Sequence, residues 1–253
     1  MDLTIVIPSF GLAALLRACI VHASVALQRA GLAQVCIAVV DNGGLEPYEA
    51  NRFEGPGLAF VRLDRRSSFS RACNAGAAAR VSQRFLFLNN DVLLHPDAIG
   101  EMLILSSGRN IGVCGARLVY PDDRIQHCGV RFHADLRGPH HEFHGLPTKT
   151  VSRAVRPFQA VTGAALLIDG ALFARLGGFD EAFPFGFEDV DLCLRARLEG
   201  VEITCSQGVD SLHFESTSNR DPRRLDASRT VFFDRWAGRY TADLTAEQEG
   251  SWP

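Results

Sequence analysis

Short apolar runs alternate with amphipathic stretches along the first 110 residues of the chain. The apolar runs predict strands over residues 3–7, 35–40, 58–63 and 85–88. Apolar positions at helical spacing predict helices over residues 12–27, 70–81 and 96–107, with Pro96 near the start of the third helix. Continuously apolar strands that alternate with helices are typical of a parallel sheet covered on both faces. The pattern therefore predicts an α/β fold.

The pattern changes after residue 110. Apolar runs predict strands over 111–119, 164–168 and 201–204, and residues 188–199 predict a helix that Gly200 ends. Residues 133–157 are rich in histidine, glycine and proline, which predicts a long loop, and long loops in compact domains are usually functional or mobile. We expect one domain over residues 1–218, with one half to about residue 110 and a second half over about 111–218. A helical tail over 219–253 is expected to pack on this domain.

Polar side chains follow three of the predicted strands at the point where each strand ends. They are Ser9, the pair Asp41 and Asn42, and the run 89–91, which is Asn-Asn-Asp. In open α/β sheets, ligands bind beyond the carboxyl ends of the strands. The sequence therefore predicts a ligand site at this edge of the sheet.

Composition narrows the classes of function. The 253 residues are 47% hydrophobic and carry a net charge of −3, so there is no global basic field for nucleic acid. The single lysine, Lys149, does not follow a glycine, which excludes a Walker-type phosphate loop. The chain also lacks the Gly-x-Gly-x-x-Gly motif of dinucleotide oxidoreductases and the Gly-x-Ser-x-Gly motif of serine hydrolases.

The cysteines and the N-terminal residues predict the compartment. The seven cysteines are odd in number and form no Cys-x-x-Cys pair, which favours buried thiols in a reducing compartment. No apolar run reaches 18 residues, and the first residues lack the basic region of a signal peptide. We therefore expect a cytoplasmic protein.

Several segments carry residues that could bind a ligand or take part in catalysis, and the order of these segments along the chain is informative. They are 4–10 with Pro8, Ser9 and Phe10; 40–44 with Asp41 and Asn42; 65–76 with Arg71 and Asn74; the run Asn89, Asn90 and Asp91; 161–164 with Gly163; 177–181; 186–193 with Glu188 and Asp189; and His213. This order resembles family 2 inverting glycosyltransferases of the GT-A fold, particularly rhamnosyltransferase-like members of polysaccharide assembly. The resemblance spans about residues 3–218. It implies a single Rossmann-like domain with a mostly parallel central sheet flanked by helices. The half to about residue 110 would bind the nucleotide, and the half over about 111–218 would bind the acceptor and carry the catalytic residues. The histidine- and glycine-rich loop would lie over the donor or acceptor pocket.

The resemblance implies a nucleoside-diphosphate sugar as the donor. Its implied donor-binding residues are Pro8, Ser9, Phe10, Asp41, Asn42, Arg71, Asn74, Asn89, Asn90 and Gly163. Two of these assignments have an alternative in which the residues contact no ligand. The sequence Asp41-Asn42-Gly43 also suits a plain turn, and Arg71 could be a solvated helix residue. Arg66 and Ser68 depart from the family's usual asparagine and glycine.

The resemblance also implies a divalent cation, Mn²⁺ or Mg²⁺. Asp91 corresponds to the metal-binding aspartate of the family, and His213 to a late histidine that completes the metal site in several members. One or two carboxylates suffice for Mg²⁺ when substrate phosphates supply further oxygens. The alternative for His213 is a structural role.

Inverting transfer needs one base that takes the acceptor proton opposite the leaving nucleotide. Asp189 matches the family position of this base, and Glu188 is the second candidate. Both fall in the first turn of the predicted helix, where the helix dipole favours the ionised form. Acidic residues also suit a helix start for structural reasons, and Asp191 could pair with Arg195 four residues on.

The expected partners are a sugar-nucleotide donor and a glycan or lipid-linked glycan acceptor, without nucleic acid and with peripheral membrane contact. Two other functions stay open. The first is a catalytically silent sugar-nucleotide or glycan-binding module on the same fold, since only Asp91 is acidic in the run 89–91. The second is a nucleotidyltransferase, although residues 8–11 lack the glycine-rich, basic loop typical of that class.

Overall fold

The computed structural model describes residues 2–32, 34–43, 57–108, 110–133, 138–215 and 222–243. Gly44 and the tail residues 219–221 and 244–253, all part of the predicted segments, lie outside these ranges. The strands are β1 Asp2–Ser9, β2 Gln34–Asp41, β3 Leu58–Arg62, β4 Arg84–Leu88, β5 Val92–Leu93, β6 Ile111–Val119, β7 Ile125–His127, β8 Val130–Phe132, β9 Pro139–His141, β10 Pro157–Phe158, β11 Ala165–Asp169 and β12 Glu202–His213. The helices are α1 Ala13–Arg29, α2 Phe69–Ala78, α3 Ala98–Ser106, α4 Gly170–Arg175, α5 Glu188–Leu198 and α6 Pro222–Trp236.

The central sheet has the strand order β10-β12-β6-β11-β4-β1-β2-β3. Strand β1 is parallel to β2 and β4, β2 is parallel to β3, and β12 is parallel to β6. Strand β11 runs antiparallel to both β4 and β6. The fold is therefore α/β, with a mostly parallel sheet flanked by helices, as the sequence predicted.

Each face of the sheet carries its own hydrophobic core. In β1, Leu3, Ile5 and Ile7 join a cluster with α1 and α3, whereas Val6 joins a cluster with α2, α4 and α5. Because successive strand side chains point to opposite faces, both faces of β1 must be apolar, which explains its uninterrupted apolar run. All seven cysteines are unpaired and buried, as predicted.

Helix α6 also packs into the core that contains α2, α4 and α5. Phe232 and Trp236 are almost fully buried in the cluster that contains α5. No helix within the described ranges has both the length and the apolar character that crossing a bilayer requires.

The short strands β5, β7, β8 and β10 were not predicted from the sequence, and three further features differ from the expectations. The strand expected over 201–204 continues to His213. Its middle is polar and contains a glycine, so the hydrophobic pattern ends before the strand does. The pairing with β6 is irregular there, with a register shift between Ser206 and Ser211. Helix α4 was not predicted, since six residues are too few for a periodic signal. The expected loop 133–157 contains β9 and one turn of 3₁₀-helix, Thr148–Thr150.

Candidate functional site

A cavity of about 290 Å³ opens where the parallel strands β1, β2 and β4 end. It lies between these strand ends, the start of α5 and the end of β12. Most of the site residues proposed from the sequence line it, namely Pro8, Ser9, Phe10, Asn42, Asn89, Asn90, Asp91, Gly163, Glu188, Asp189 and His213. Residues far apart in sequence therefore meet at the predicted edge of the sheet.

Three of the proposed residues do not line this cavity. Asp41 is buried with its carboxylate 3.9 Å from the guanidinium of Arg62. Arg71 is exposed on α2. Asn74 binds the backbone of Phe179 at both ends of its amide, donating to the carbonyl oxygen at 2.8 Å and accepting from the N–H at 2.9 Å. Asn74 thus holds the turn that precedes α5.

Asn42 ties the end of β2 to the segment before α2. Its amide donates to the Ser67 carbonyl at 3.1 Å and accepts from the Ser67 N–H at 2.8 Å. Gly43 adopts a φ of 72°, and a Cβ there would come within 2.3 Å of the backbone between Arg65 and Arg66. Only glycine allows this crossing, which brings the Arg66 side chain to the cavity wall.

The pairing of β5 with β12 sets the position of His213. His213 lies opposite Val92, and the Phe214 N–H donates to the Asp91 carbonyl at 3.1 Å. As a result, His213 Nε2 is 3.2 Å from Asp91 Oδ1 and 3.5 Å from the Asn89 amide nitrogen. Both Asp91 and His213 are buried.

The pair Asp91 and His213 fits a divalent cation as a partial ligand set. The 3.2 Å between the two atoms is close to the roughly 3 Å between neighbouring ligands of an octahedral cation with bonds of about 2.1 Å. Among the described residues, no three His, Cys, Asp or Glu side chains are arranged to hold a metal ion. The described residues would therefore supply two ligands, and water or a bound substrate would supply the others.

A sharp turn places the two candidate bases at the start of α5. Gly186 and Phe187 both have positive φ, 79° and 69°, and the left-handed conformation of Phe187 is uncommon for a residue with a side chain. The helix then begins directly at Glu188, so Glu188 and Asp189 both face the cavity.

The carboxylate of Asp189 is held by the backbone. One oxygen accepts from the Gly163 N–H at 2.7 Å, and the other accepts from the Val190 N–H at 2.8 Å. A Cβ at Gly163 would lie 3.2 Å from the Asp189 Cβ, so the small residue permits this close approach. Thr162 also donates to this carboxylate through its side chain.

Glu188 has a different environment from its neighbour. It is buried, and its Oε2 has no hydrogen-bond partner among the described residues. Burial and the nearby Asp189 charge raise the pKa of Glu188, while the Arg224 guanidinium lowers it by a smaller amount. Burial also raises the pKa of Asp189, against the opposing effect of its backbone hydrogen bonds. The two adjacent carboxyl groups therefore both keep their protons to a higher pH than free carboxyl groups do.

The third acidic residue of α5 is structural. Asp191 is fully buried and points away from the cavity lining. It accepts from Arg195 at 2.7 Å, from Arg235 at 2.7 Å and from the Trp236 indole at 2.9 Å. The pairing with Arg195 was predicted from the spacing, whereas the contacts with α6 were not.

Several lining residues were not singled out as site residues from the sequence. They are Gln126, His141, Thr162, Glu215 and Arg224, besides the hydrophobic residues Leu12, Pro184 and Phe185. Gln126 and Arg224 carry no local motif, so only the fold brings them to the site. Thr162 had a usable signal, because it directly precedes the glycine of the Thr-Gly-Ala segment.

Comparison with known sequences shows that the chain is similar to one protein family and to several individual proteins. The family model described as Glycosyl transferase family 2 matches residues 4–153. The chain is 33% identical over 196 residues to the uncharacterized protein y4gI of Sinorhizobium fredii, covering 72% of this chain and 21% of that protein. It is 28% identical over 195 residues to the O-antigen biosynthesis protein RfbC of Myxococcus xanthus, covering 73% and 15%.

A third relative has a specific activity in its name. The chain is 29% identical over 181 residues to N-acetylglucosaminyl-diphospho-decaprenol L-rhamnosyltransferase of Mycobacterium tuberculosis, covering 64% of this chain and 59% of that protein. The chain thus spans about a fifth or less of the length of y4gI and RfbC, and somewhat more than half of the rhamnosyltransferase.

Solved structures share the fold. GalNAc-T7 with UDP, GalNAc and Mn²⁺ superposes with a TM-score of 0.68 at 14% identity, covering 94% of this chain and 48% of that chain. The mannosyltransferase PcManGT of Pyrobaculum calidifontis, in complex with GDP-Man and Mn²⁺, gives 0.67 at 14% identity, covering 95% and 65%. The predicted GT-A fold is therefore confirmed.

Proposed function

The chain belongs to glycosyltransferase family 2, and we propose that it moves a sugar from a nucleoside-diphosphate sugar to a hydroxyl group, with inversion at the anomeric carbon. One observation carries this proposal. The buried carboxyl groups of Glu188 and Asp189 face the same cavity as the pair Asp91 and His213. A single displacement needs a base for the attacking hydroxyl and charge neutralisation for the leaving diphosphate.

The nucleotide of the donor is proposed to bind where β1 and β2 end. Pro8, Ser9, Phe10 and Asn42 line this part of the cavity. The Arg66 guanidinium lies 4.2 Å from the centre of the Phe10 ring, and its forked N–H donors suit a phosphate group.

The transferred sugar is proposed to lie next to Asn89, Asn90 and Gly163. The Asn90 amide donates to Ser9 Oγ at 2.7 Å, so it already spans the ends of β4 and β1. Amide groups in such positions can bind sugar hydroxyl groups as donors or acceptors.

The remaining donor-binding candidates are proposed to act from outside the cavity. Asp41 and Asn74 support the strand end and the turn before α5. Arg71 is proposed to add positive charge at the start of α2, although its side chain is not part of the lining.

Asp91 and His213 are proposed to hold a divalent cation, Mg²⁺ or Mn²⁺. Such an ion, when bound, neutralises charge on the diphosphate as the glycosidic bond breaks. Asp91 offers the oxygen that hard cations prefer, and a histidine nitrogen favours Mn²⁺ over Mg²⁺ modestly.

Asp189 is proposed to be the base. The acceptor oxygen attacks the anomeric carbon opposite the diphosphate, the bond from that carbon to the phosphate oxygen breaks, and Asp189 takes the hydroxyl proton. The hydrogen bonds from the Gly163 and Val190 N–H groups orient this carboxylate. Glu188 is proposed to hold a proton beside this base, so that the negative charge of the pair lies on Asp189.

A glycan or lipid-linked glycan is proposed as the acceptor. The support is the name of the mycobacterial relative, which specifies a diphospho-decaprenol substrate for that protein. A cytoplasmic location with peripheral contact at a membrane surface would give this chain access to a lipid-linked acceptor.

The proposal is tested by incubating the full chain with UDP-, GDP- and dTDP-sugars, Mn²⁺ and lipid-linked or free oligosaccharide acceptors. Release of a nucleoside diphosphate together with glycosylated, inverted product is the expected result. Pyrophosphate release from a nucleoside triphosphate would instead indicate a nucleotidyltransferase. Donor binding without turnover for every acceptor would indicate a catalytically silent binding module.

A further inference from the structure

A pair of histidines connects the backbone next to Asp189 with the cavity wall. His127 is fully buried at the end of β7, and its Nδ1 lies 2.8 Å from Nδ1 of His141. The other ring nitrogen of His127, Nε2, accepts a hydrogen bond of 3.3 Å from the Thr162 N–H. Thr162 directly precedes Gly163, whose own N–H binds Asp189.

These two hydrogen bonds determine where the protons are on both rings. A backbone N–H can only donate, so His127 Nε2 carries no proton, and the proton of the neutral ring must be on Nδ1. This Nδ1–H then donates to Nδ1 of His141, which therefore also carries no proton. The remaining proton of His141 must be on Nε2, so this atom is a hydrogen-bond donor.

The donor atom of His141 is available to a ligand. His141 lines the cavity, and no hydrogen bond joins its Nε2 to any residue that the structure describes. Burial is the main reason that the pKa of His141 falls to about 4, so the ring stays neutral at pH 7. Burial likewise lowers the pKa of His127 well below its usual value.

The backbone around His141 is well anchored. Strand β9 pairs with β8, with His141 opposite Val130. The next residue, Glu142, is buried and forms ion pairs with Arg131, at 2.5 Å, and with Arg156. A histidine on such an anchored backbone can hold its N–H in one direction, so the side chain need not reorient during the reaction.

We propose that His141 donates its Nε2–H to an oxygen of the bound donor's diphosphate, and that His127 is the positioning residue that fixes this tautomer. This inference rests on the proposed function. The neighbouring groups favour the diphosphate over the acceptor as its ligand. The titratable neighbours that affect the pKa of His141 include Glu215 and His213, which line the Asp91 end of the cavity, and include neither Glu188 nor Asp189.

The arrangement has a chemical use that a cationic side chain would not provide. A neutral N–H group stabilises the negative charge that develops on the leaving oxygen without occupying the site as a competing cation. Because His127 supplies only Nδ1–H, His141 is directed to present its donor and not its acceptor to the substrate.

Nuclear magnetic resonance of the full chain labelled with ¹⁵N-histidine tests the tautomers directly. We expect His127 protonated on Nδ1 only and His141 on Nε2 only at pH 7. Addition of UDP, GDP and dTDP in turn, each with Mg²⁺, should shift the Nε2–H signal of His141 for the nucleotide that binds. A proton on Nδ1 of His141, or a doubly protonated ring, would overturn the proposal.

The same titration separates this inference from the proposed function. If a nucleoside diphosphate binds and the signals of other cavity residues move while Nε2 of His141 does not, the role of His141 is wrong and the proposed function survives. If none of the nucleotides binds the folded wild type, both proposals fail.

Substitutions give a second readout. H141F retains an aromatic ring without the donor and should weaken nucleoside-diphosphate binding about tenfold or more. H141Q restores a side-chain N–H and should recover part of this loss. H127F should weaken binding less than H141F, and it should remove the single-tautomer signal of His141.

A matched control is available in the same segment. His144 does not line the cavity and contacts Tyr120, so H144F should leave nucleotide binding close to that of the wild type. Thermal unfolding of every variant checks that the fold is intact. Unchanged nucleotide binding and unchanged kcat in a folded H141F would contradict the proposal.

Discussion

Asp189 and Glu188 are adjacent carboxyl groups with unlike surroundings. Backbone N–H groups donate to both oxygens of Asp189, and these bonds favour its ionised form. Glu188 is buried with an unpartnered Oε2, and its pKa is raised by burial and by its neighbour's charge. At the scale of single residues, the site therefore contains one oriented carboxylate beside one that takes up a proton readily.

The first prediction concerns the proposed base. D189N retains the size of the side chain but removes the proton acceptor, so kcat for sugar transfer should fall by about 10²–10⁴-fold. Nucleoside-diphosphate binding should persist, because Asp91 and His213 are unchanged. Steady-state kinetics and calorimetric titration measure the two effects.

A matched control for this change is D122N, at an exposed aspartate in a surface turn beside Arg124. It should leave both kcat and binding unaltered. Wild-type turnover in D189N would rule out Asp189 as the base.

The second prediction concerns pH. The base acts when ionised, and burial raises the pKa of Asp189, so the acid limb of kcat/KM should lie above the ordinary carboxyl range of about 4. Burial and the Asp189 charge raise the pKa of Glu188, so Glu188 still holds its proton while Asp189 titrates. E188Q resembles this protonated form and should therefore leave the acid limb in place. A marked shift of the acid limb in the pH–rate profile of E188Q would show that Glu188, and not Asp189, is the group whose ionisation limits the rate.

At the scale of elements, helix α5 joins the site to the C-terminal helix. Its first turn presents Glu188 and Asp189 to the cavity, while Asp191 points into the core and binds α6 through Arg235 and Trp236. One side of this short acidic segment thus lines the cavity, and the other, structural side binds α6. The left-handed Phe187 sets the angle at which the helix begins.

The third prediction tests this structural side. D191N leaves the half-buried Arg195 and Arg235 without their common, fully buried carboxylate, and removal of one partner of a buried ion pair costs about 3–5 kcal/mol. For a chain of this size, the melting temperature should fall by roughly 6–20 °C. Thermal unfolding followed by circular dichroism measures the change.

The control is E199Q at the other end of α5, where Glu199 lies 4.0 Å from Arg175 and both side chains are more than half exposed. An exposed pair contributes at most about 1 kcal/mol, so its melting temperature should change little. Equal effects of D191N and E199Q would contradict the structural role of Asp191.

At the scale of the whole molecule, the cavity combines both halves of the chain. Ser9, Asn42 and Asp91 come from the parallel strand ends of the first half, whereas Asp189 and His213 come from the second. A ligand that contacts both halves binds the folded state alone. Its binding therefore stabilises the entire fold by mass action.

The fourth prediction uses this coupling. A nucleoside diphosphate with Mn²⁺ at 100 times its dissociation constant should raise the free energy of unfolding by about 2.7 kcal/mol. In a thermal-shift assay this corresponds to about 5–10 °C. D91N should lose the part of the shift that depends on Mn²⁺ and retain the part that the nucleotide produces alone. A Mn²⁺-dependent shift of wild-type size in D91N would exclude Asp91 as a metal ligand.

Much of the fold could be predicted because local patterns carried it. The strands β1, β2 and β4 are continuously apolar since both faces of the sheet are covered. Helix α5 was predicted from its apolar face and Gly200. By contrast, β12 was predicted only over its first residues, because Ser206, Gln207 and Ser211 are polar yet buried in it. Hydrogen bonds of the folded state compensate this burial, such as the one from Arg117 to Gln207.

The residues of the candidate site likewise divide into those that a local sequence pattern indicated and those that only the fold places there. Asn89–Asp91 and Glu188–Asp189, which line the cavity, were proposed because each segment follows or begins a predicted element. Asn74 was proposed for the donor, but its amide is engaged with the Phe179 backbone. Arg224 gave no usable local signal, since its position depends on how α6 packs. His141 belongs to the histidine-rich loop that was expected over the pocket, but nothing in the sequence distinguished it from the other histidines there.

The sequence by itself determined the order of strands and helices, the edge of the sheet where polar groups collect, and the family to which the chain belongs. These follow from local periodicity and from short segments in a fixed order. Only the tertiary structure decided that His213 reaches Asp91, that Asp191 serves α6, and that His127 directs the proton of His141. The physical reason is that these relations join residues far apart in the chain, and their distances exist only after the sheet has formed.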